Sequence, residues 1–599
     1  MKALLQLSKD KLRKLLFAED IRLTRIFERA KCGESLRRNL WDYLNEREQS
    51  FFEMNSPEYP ASLHVIEKNI ALQCIHIFKN ILQSENEERS GCSALMILQK
   101  IYHADPATLR KTRRGFFLEF LHLIRGMQGR SFLHETPKLS EEDINAENLG
   151  QLLDAYAQNM QAHFSNFSKG CDPERIRRQE TLQRKILAYF SADRAEWQDY
   201  RWHYGHIIRS EKVLSDLITL EKDEILGIRK AEKYHIPFQI TPYYLSLFNE
   251  EGRSREDRIL RAQVIPGASY SERVHENRLK NIDMDFMGEK AGSPVPGITR
   301  RYPNIVILKP YDSCPQICVY CQRNWEVKDI RETQISRRDI SRAIAWIGKN
   351  RNITEVLVTG GDPLMLKDDY LAEILTALSD MKHVERIRIG TRMPVTLPFR
   401  FTEKFIAMLK SYNRPGQQEL CVVTHIEDAL EITPDVLKIT EKIRKAGLSM
   451  YNQQVFTYYN SLRFKTAFLR KVLKVSGIDP YYLFNTKGKK ETQDFRVPIA
   501  RIEQERKEEA RFLPGIMRSD EPVFNIPKLG KSNLRSWQNH DIIMILPDGR
   551  RVYRFYPWES MSMRIDDYLY TDVSISAYLQ RLDKDGENID DYKSIWYYF

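Results

Sequence analysis

The sequence predicts an α/β protein in which a partial (β/α)6 barrel follows a large helical domain at the N-terminus. Two patterns support this fold class. From about residue 300 to 530, short apolar runs alternate with amphipathic stretches in six β-α pairs, which is typical of a parallel sheet. Eight pairs would close a complete barrel, so six predict a barrel that is open on one side. Before about residue 190, apolar residues recur every three or four positions, as they do on helices.

The six predicted strands and helices follow one another along the chain. The strands are Asn304–Lys309, Glu355–Thr359, Arg386–Gly390, Leu420–His425, Met450–Val455 and Tyr481–Asn485. The helices are Arg338–Asn350, Asp369–Met381, Thr402–Ser411, Thr433–Ala446, Ser461–Val475 and Ile499–Phe512. The fourth helix has the clearest limits, because Thr433 can cap it, Pro434 suits its first turn and Gly447 can end it. In folds of this kind, reactive groups lie on loops at the carboxyl ends of the strands.

The 599 residues are expected to form four segments. These are a helical N-terminal domain (1–190), a mostly helical segment that leads into the barrel (191–299), the barrel (300–535) and a C-terminal segment (536–599). The lead-in is expected to end at Pro294, Pro296 and Gly297, because proline and glycine interrupt regular structure.

Charge and composition narrow the cellular context. The formal net charge is +11, and basic clusters at 111–114 and 175–178 could attract nucleic acid. These clusters lack interleaved aromatic residues, so we interpret them as solvated helix faces. No apolar run approaches the roughly 20 residues that span a bilayer. Of the eight cysteines, three lie close together and the other five are isolated in the sequence, which is typical of proteins in reducing compartments. We therefore expect a cytoplasmic protein without membrane or nucleic-acid partners.

Cys314, Cys318 and Cys321 lie within eight residues, directly after the first predicted barrel strand. One short loop could wrap these thiolates around a single iron–sulfur cube. Such clusters are usually held by four cysteines, and the next cysteine is Cys421, so one iron would stay open for another ligand. A disulfide would leave an odd thiol, and a zinc site would need a second ligand pair. The triplet therefore predicts a [4Fe–4S] cluster, the signature of radical S-adenosylmethionine (SAM) enzymes.

Gly360, Gly361 and Asp362 end the second predicted strand, one β-α unit beyond the cysteines. Two glycines let a backbone approach a ligand closely. We interpret the motif as the segment that contacts the amino group of SAM, with a simple turn as the alternative.

Together these motifs resemble the lysine 2,3-aminomutase family. The matching segments are Arg301–Pro303, the cysteine loop with Gln322 and Arg323, Thr359–Leu364, Arg388–Arg392, Thr424–His425 and Asn452–Gln453. The resemblance covers about residues 195–570 and implies three cofactors: SAM, a [4Fe–4S] cluster and pyridoxal 5′-phosphate (PLP). It also implies a one-electron donor such as flavodoxin or ferredoxin. The lysine that binds PLP in the family is matched by Lys531, with Lys528 in reserve.

The resemblance assigns further residues to the cofactors. Arg301 matches an arginine near the PLP phosphate, whereas a second family arginine is replaced here by Ile305. The other assigned residues are Gly360, Gly361, Asp362, Arg392, Asn452 and Gln453. For the last two, a strand-end polar pair is the alternative.

Substrate specificity follows from three positions. In the family, the equivalent of Arg323 holds the substrate carboxylate; the alternative is that it neutralises cluster charge. Lysine-specific members place two aspartates around the distal ammonium, where this chain has Lys487 and Asn525. A cation and an amide suit a carboxylate better than an ammonium. The pair resembles the glutamate 2,3-aminomutase branch, which implies conversion of L-glutamate to β-glutamate, unless Lys487 faces solvent or the alignment shifts.

The resemblance implies an isomerase in which cleaved SAM yields a radical that removes hydrogen from the substrate Cβ before the amino group moves. We expect a homo-oligomer that acts on a small amino acid. The alternatives are a lysine or other amino-acid 2,3-aminomutase, a radical SAM enzyme that modifies a protein or tRNA, and a non-catalytic sensor.

Overall fold

The computed structural model of the chain describes residues 1–30, 32–53, 60, 62–133, 145–252, 254–333, 336–486, 488–527, 530–535, 540–556 and 567–599. Lys487 and Lys528 lie outside these residues. The chain divides into two compact units. Unit 1 consists of Met1–Met160, Val497–Glu508 and Ser532–Phe599, and unit 2 consists of Gln161–Arg496 and Glu509–Lys531.

Helices dominate the chain ahead of the barrel, as the sequence predicted. They are α1 (Lys2–Gln6), α2 (Lys9–Ala18), α3 (Ile21–Arg29), α4 (Gly33–Gln49), α5 (Val65–Leu82), α6 (Ser84–Ser90), α7 (Ala94–Tyr102), α8 (Pro106–Lys111), α9 (Arg114–Met127), α10 (Ala146–Phe164), α11 (Pro173–Tyr189), α12 (Arg194–Gln198), α13 (Tyr200–Gly205), α14 (Glu211–Leu217), α15 (Lys222–Lys233), α16 (Pro242–Leu245), α17 (Arg255–Ala262) and α18 (Ala268–Leu279). Polar side chains cap many of them; Ser8, Asp20 and Ser93 accept the first backbone N–H groups of α2, α3 and α7. Within the described part of the chain, none of the helices has the length and apolar character needed to cross a bilayer.

A nine-stranded sheet forms the barrel. Its order is β1 (Ile298–Arg300), β2 (Ile305–Tyr311), β3 (Glu355–Gly360), β4 (Arg386–Gly390), β5 (Glu419–Thr424), β6 (Ser449–Phe456), β7 (Asp479–Asn485), β8 (Glu521–Ile526) and β9 (Gly530–Asn533). β1 runs antiparallel to β2, and every neighbouring pair from β2 to β8 is parallel. The six predicted strands are β2 to β7, so the predicted partial barrel is confirmed; β1, β8 and β9 extend its sheet.

Helices separate the parallel strands. They are α19 (Arg337–Lys349), α20 (Asp368–Ser379), α21 (Met393–Thr396), α22 (Glu403–Ser411), α23 (Pro434–Lys445) and α24 (Lys465–Val475). Between β7 and β8 in the sequence comes α25 (Ile499–Glu508), which belongs to unit 1. The limits predicted for the fourth barrel helix, α23, are confirmed: Thr433 accepts the N–H of Val436, Pro434 opens the helix, and Gly447 has a φ of +79°.

The apolar core of the barrel lies between the sheet and its helices. Alternate strand residues such as Val306, Val356 and Ile387 are fully buried in it, together with Leu375 and Ile443 from the helices. Successive strand residues point to opposite faces, so their neighbours line the barrel interior. Burial of each such side chain contributes roughly 1.5–3 kcal/mol, which makes the layer a stable base for the loops above it.

The core of unit 1 forms around α9. Almost every residue of this helix is buried, which is typical of a central helix. Helix α5 packs against it, and Gly126 of α9 lies so close to Cys74 of α5 that a larger side chain would not fit. Unit 1 also contains the antiparallel strands β10 (His540–Ile545), β11 (Arg551–Phe555) and β12 (Tyr568–Thr571), and α26 (Ile575–Lys584).

Candidate active site

The cysteine loop follows β2, and residues of the lead-in hold its backbone. The side chain of Gln239 donates a hydrogen bond to the carbonyl oxygen of Cys314, and the N–H of Ile317 donates to the carbonyl of Gln239 at 3.0 Å. The N–H of Val319 donates to the carbonyl of Gln263 at 2.8 Å. Because these bonds satisfy buried backbone groups, they also fix the shape of the loop.

Cys314, Cys318 and Cys321 are free thiols close enough to influence one another. Burial raises the pKa of Cys318 to about 11, and it raises the pKa of Cys314 and of Cys321 as well. Such thiols stay protonated unless a metal binds, because coordination removes the proton. Three buried, unlinked thiols on one fixed loop are a donor set that fits an iron–sulfur cluster.

Among the described residues, no three Cys, His, Asp or Glu side chains converge on a point where one ion could bind. In a cluster each thiolate binds a different iron, so the three sulfurs need not converge.

Two N–H groups point at the cysteine sulfurs. Nη1 of Arg392 donates to Sγ of Cys318 at 2.9 Å, and the backbone N–H of Arg323 donates to Sγ of Cys321 at 3.3 Å. Hydrogen bonds to the sulfurs are among the factors that set the potential of a cluster. The sequence assigned Arg392 to cofactor binding, and the structure places its guanidinium between Cys318 and Glu431, whose Oε1 lies 2.7 Å from Nη2.

Gly360 and Gly361 pack against the start of the cysteine loop. Gly360 has a φ of +125°, a conformation that other residues rarely adopt. A Cβ on Gly361 would lie 2.6 Å from the backbone nitrogen of Ser313 and closer still to its carbonyl oxygen. The glycines therefore serve close packing beside Cys314, and their contact with SAM stays a prediction.

Asp362 connects two loops above the barrel. Its carboxylate accepts hydrogen bonds from Oγ1 of Thr391 at 2.8 Å and from the N–H of Arg392 at 3.0 Å. Burial raises its pKa to about 6 despite these donors. Asp362 thus fastens the loop after β3 to the loop after β4, which carries Arg392.

Asn452 and Gln453 lie on opposite faces of β6. The amide of Asn452 bonds the backbone of Ile426 twice: Oδ1 accepts at 2.7 Å and Nδ2 donates at 3.0 Å. These bonds fix the loop after β5. Gln453 is half-buried and pairs with Tyr482 of the neighbouring strand.

Arg323 and Arg301 lie close to one carboxylate, that of Glu289 in the lead-in. Nε of Arg323 donates to Oε2 of Glu289 at 2.9 Å, and both side chains are buried. Burial alone would raise the pKa of Glu289, but Arg323, and to a smaller extent Arg301, hold that pKa below its ordinary value. Sequence reasoning missed Glu289, because nothing in its surroundings marks it as more than a surface acid.

Lys531 lies between two tyrosine rings. Its ammonium is 4.8 Å from the ring centre of Tyr302 and 4.6 Å from that of Tyr482. Tyr302 adjoins Arg301, so residues from the first and the last parts of the barrel sequence meet here. An amine in an aromatic, half-buried setting can react with an aldehyde such as PLP, and Arg301 is suited to a phosphate.

Asn525, near the end of β8, is 4% exposed, and its Nδ2 has no hydrogen-bond partner among the described residues. Lys487, its predicted companion, lies outside the described residues. Two positions later, Lys489 is buried, forms a 3.0 Å ion pair with Glu491 and donates to the side chain of Asn324. The loop after β7 therefore packs beside Arg323.

Comparison with known proteins agrees with these features. The model of the Radical SAM superfamily matches residues 308–452. An uncharacterized KamA family protein of Methanocaldococcus jannaschii is 38% identical over 96% of this chain and 95% of its own length. Glutamate 2,3-aminomutase of Clostridioides difficile is 34% identical over 53% of this chain and 72% of its own length. L-lysine 2,3-aminomutase of Methanococcus maripaludis is 34% identical over 51% and 68%, respectively.

The three relatives differ in how much of the chain they cover. The aminomutases align with about half of it, whereas the protein of M. jannaschii aligns over nearly its full length. The superfamily match contains the cysteine triplet and the glycine motif, and proteins of this superfamily use SAM, an iron–sulfur cluster and an electron donor. The chain therefore belongs to the KamA family of radical SAM proteins.

Proposed function

We propose that this protein is a PLP-dependent 2,3-aminomutase that moves the amino group of L-glutamate from Cα to Cβ and forms β-glutamate. The names of the aminomutase relatives support the reaction class. The observation that carries the PLP assignment is the position of Lys531, whose ammonium lies beside the rings of Tyr302 and Tyr482. Tyr302 is next to Arg301 in the sequence.

The protein residues would bind, orient and shield the reactants. Cys314, Cys318 and Cys321 would hold the cluster, and Arg392 donates a hydrogen bond to the sulfur of Cys318. Lys531 would hold PLP, and Arg301 would bind its phosphate. When bound, the cluster and SAM supply the radical chemistry, and PLP stabilises the amine while it migrates.

Two side chains would hold the carboxylates of the substrate. The planar guanidinium of Arg323 suits the α-carboxylate, because it can donate two parallel hydrogen bonds. Among the described residues, Nδ2 of Asn525 has no partner, so it offers a buried donor whose hydrogen bond a carboxylate can accept and an ammonium cannot. Lys487 would complete the site for the side-chain carboxylate of glutamate.

A second candidate is lysine as the substrate. The lysine enzyme of M. maripaludis is 34% identical to this chain, the same value as the glutamate enzyme of C. difficile. Overall identity thus does not separate the two substrates, and the residues around the distal end of the substrate must do so.

Anaerobic assays of reconstituted enzyme with glutamate and lysine side by side would test the proposal. We expect β-glutamate from the wild type and at least about a hundredfold loss in Lys487→Asp, because a like charge beside the side-chain carboxylate of the substrate would oppose its binding. Lys490→Asp is the matched control, since Lys490 is exposed in the same loop and its reversal should leave the preference unchanged. Turnover of lysine alone by the wild type would contradict the glutamate assignment.

The PLP assignment has an independent readout in the absorbance of the bound cofactor. Lys531→Ala should abolish the covalent complex with PLP and leave the iron content unchanged. Lys528→Ala should retain the complex. If Lys531→Ala retained the PLP complex and Lys528→Ala lost it, Lys528 would be the residue that binds PLP.

A further inference from the structure

Arg323 is held from the side by a buried carboxylate. Its Nε lies 2.9 Å from Oε2 of Glu289, and Arg323 and Glu289 are 9% and 2% exposed. A guanidinium has five N–H donors in a rigid fork. A partner on Nε fixes the plane of the fork and directs its two terminal nitrogens, Nη1 and Nη2, to the far side.

Glu289 is itself fixed in place. Its backbone N–H donates to Oδ1 of Asp285 at 2.9 Å, and its carbonyl oxygen accepts from Oγ of Ser293 at 2.7 Å. Its other carboxylate oxygen, Oε1, accepts from Nε2 of Gln322 at 3.2 Å. The carboxylate therefore has a defined position on a loop that the protein's own hydrogen bonds stabilise.

Three cations lie near the carboxylate of Glu289. Lys309 and Arg301 lie near it in addition to Arg323, and they help to hold the pKa of this carboxyl below its ordinary value. Lys309 also pairs with Glu326 at 2.6 Å. Glu289 pairs with Nε of Arg323, and the charge of the guanidinium would also attract a further carboxylate at Nη1 and Nη2.

We propose that Glu289 is a positioning residue for Arg323: it binds Nε and so presents Nη1 and Nη2 as a two-pronged site for the α-carboxylate of the amino-acid substrate. This inference deepens the proposed function and depends on it. It also assigns a task to the lead-in segment, which carries Glu289 but none of the residues predicted from the sequence.

In an alternative role, Glu289 is a placeholder: its carboxylate occupies the position on Arg323 that the substrate α-carboxylate would take, and the substrate must displace it. The two roles predict opposite effects of a substitution. Loss of a positioning residue weakens substrate binding, whereas loss of a competitor strengthens it.

Steady-state kinetics and calorimetric binding of L-glutamate, L-lysine and L-alanine to three variants would test the proposal. Glu289→Met removes the acceptor, Glu289→Gln keeps an acceptor oxygen for Nε, and Glu491→Gln is the matched control. Glu491 is an equally buried acid that accepts a hydrogen bond from the neighbouring Asn324, and within the described residues it does not contact Arg323. Iron content and SAM binding are measured for each variant, so that a folding defect is recognised.

We expect Glu289→Met to raise the KM and the Kd about tenfold or more with kcat within about threefold, because binding of the α-carboxylate is lost equally in ground and transition states. Glu289→Gln should stay within about threefold, and Glu491→Gln within about twofold, of the wild type.

Other results would overturn the proposal. A lower KM in Glu289→Met would indicate the placeholder, and an unchanged KM would exclude any role toward the substrate. Loss of iron in both Glu289 variants, with the KM of the remaining enzyme unchanged, would show a purely structural residue. If the wild type acts on lysine instead of glutamate, only the glutamate assignment fails. The KM and Kd of the variants are then measured with lysine as the substrate. Failure to bind any amino acid would end both proposals.

Discussion

Unit 1 and unit 2 both bury arginine side chains, and Arg551 of unit 1 has different partners from Arg392 of unit 2. In unit 1, Arg551 pairs with Glu119 at 2.9 Å and donates to the carbonyl oxygens of Trp596 and Tyr598, each at 2.7 Å. In unit 2, Arg392 combines its carboxylate partner with the sulfur of Cys318. A buried charge is costly unless it is paired, so the partners of a buried arginine indicate its role.

We interpret Arg551 as a fold-stabilising residue and Arg392 as part of the predicted cluster site. Arg551 bonds Glu119 and the carbonyl oxygens of Trp596 and Tyr598, and these bonds fasten the last residues of the chain within unit 1. Unit 2 contains both kinds of buried arginine: Arg470 pairs with Glu509 and Asp520, much as Arg551 pairs with Glu119, whereas Arg392 lies beside the cysteine loop. We therefore expect substitution of Arg551 to change stability and substitutions beside the cysteine loop to change cofactor content and activity.

The largest effect is expected from Cys318→Ala. It removes one of three predicted iron ligands, so bound iron and sulfide should be lost and SAM cleavage should fall at least about a thousandfold, or more than about 4 kcal/mol in barrier terms. Measurement needs anaerobic reconstitution followed by iron, sulfide and SAM-cleavage assays. Cys421→Ala is the control, because that buried cysteine is isolated and should leave the iron in place. Full iron content in Cys318→Ala would refute the cluster.

Arg551→Met should have the largest effect on unit 1. It leaves Glu119 buried without its cation, which typically costs about 3–5 kcal/mol of unfolding free energy. Denaturant unfolding of the single variant and of the Arg551→Met/Glu119→Met double variant measures this cost, and the double variant should recover part of it. Iron content per folded molecule should not change. A variant that is stable but inactive would contradict the fold-stabilising role of Arg551.

Gly361→Ala tests close packing beside the cysteine loop. A methyl group would collide with the backbone of Ser313, and overpacking of this kind costs about 1–3 kcal/mol. Because Ser313 adjoins Cys314, we also expect slower cluster assembly, followed by absorbance during reconstitution. Gly348→Ala is the matched control: Gly348 lies in α19 with ordinary clearance, and alanine there should be neutral or stabilising. Equal behaviour of the two variants would exclude the packing role.

The smallest effect concerns the partly exposed pair His76–Asp541 of unit 1, whose Nε2 and Oδ1 lie 3.5 Å apart. The hydrogen bond to Asp541 raises the pKa of His76 above its usual 6.5. A raised pKa stabilises the fold while the histidine is charged, so this contribution is complete at pH values below 6.5 and is lost as the pH rises through the folded-state value. Solvent screening limits it to less than about 1 kcal/mol. Unfolding free energies of the wild type and Asp541→Asn between pH 6 and 8 should therefore converge at the alkaline end; a constant difference would show that the charge contributes nothing.

Local patterns predicted the barrel well. Strands β2 to β7 and their helices follow from apolar periodicity, and the ends of α23 follow from Thr433, Pro434 and Gly447, because caps depend on residues close in sequence. Strands β8 and β9 were not predicted: β8 carries no alternation between polar and apolar residues, since nearly all of its residues are buried. The packing role of Gly361 also escaped prediction, because Ser313 approaches it from a distant part of the chain.

The sequence by itself determined the fold class, the cysteine loop and the family motifs, since each depends on residue type and spacing within one segment. Only the tertiary structure decided which charges meet. Glu289 reaches Arg323, Arg392 reaches Cys318, and Lys531 reaches Tyr302 across long stretches of chain. Parallel strands bring their loops to one edge of the sheet whatever their separation in sequence, so side chains with no local pattern become neighbours there. The tertiary fold therefore determines which charged groups pair, and a short segment of sequence does not show these pairings.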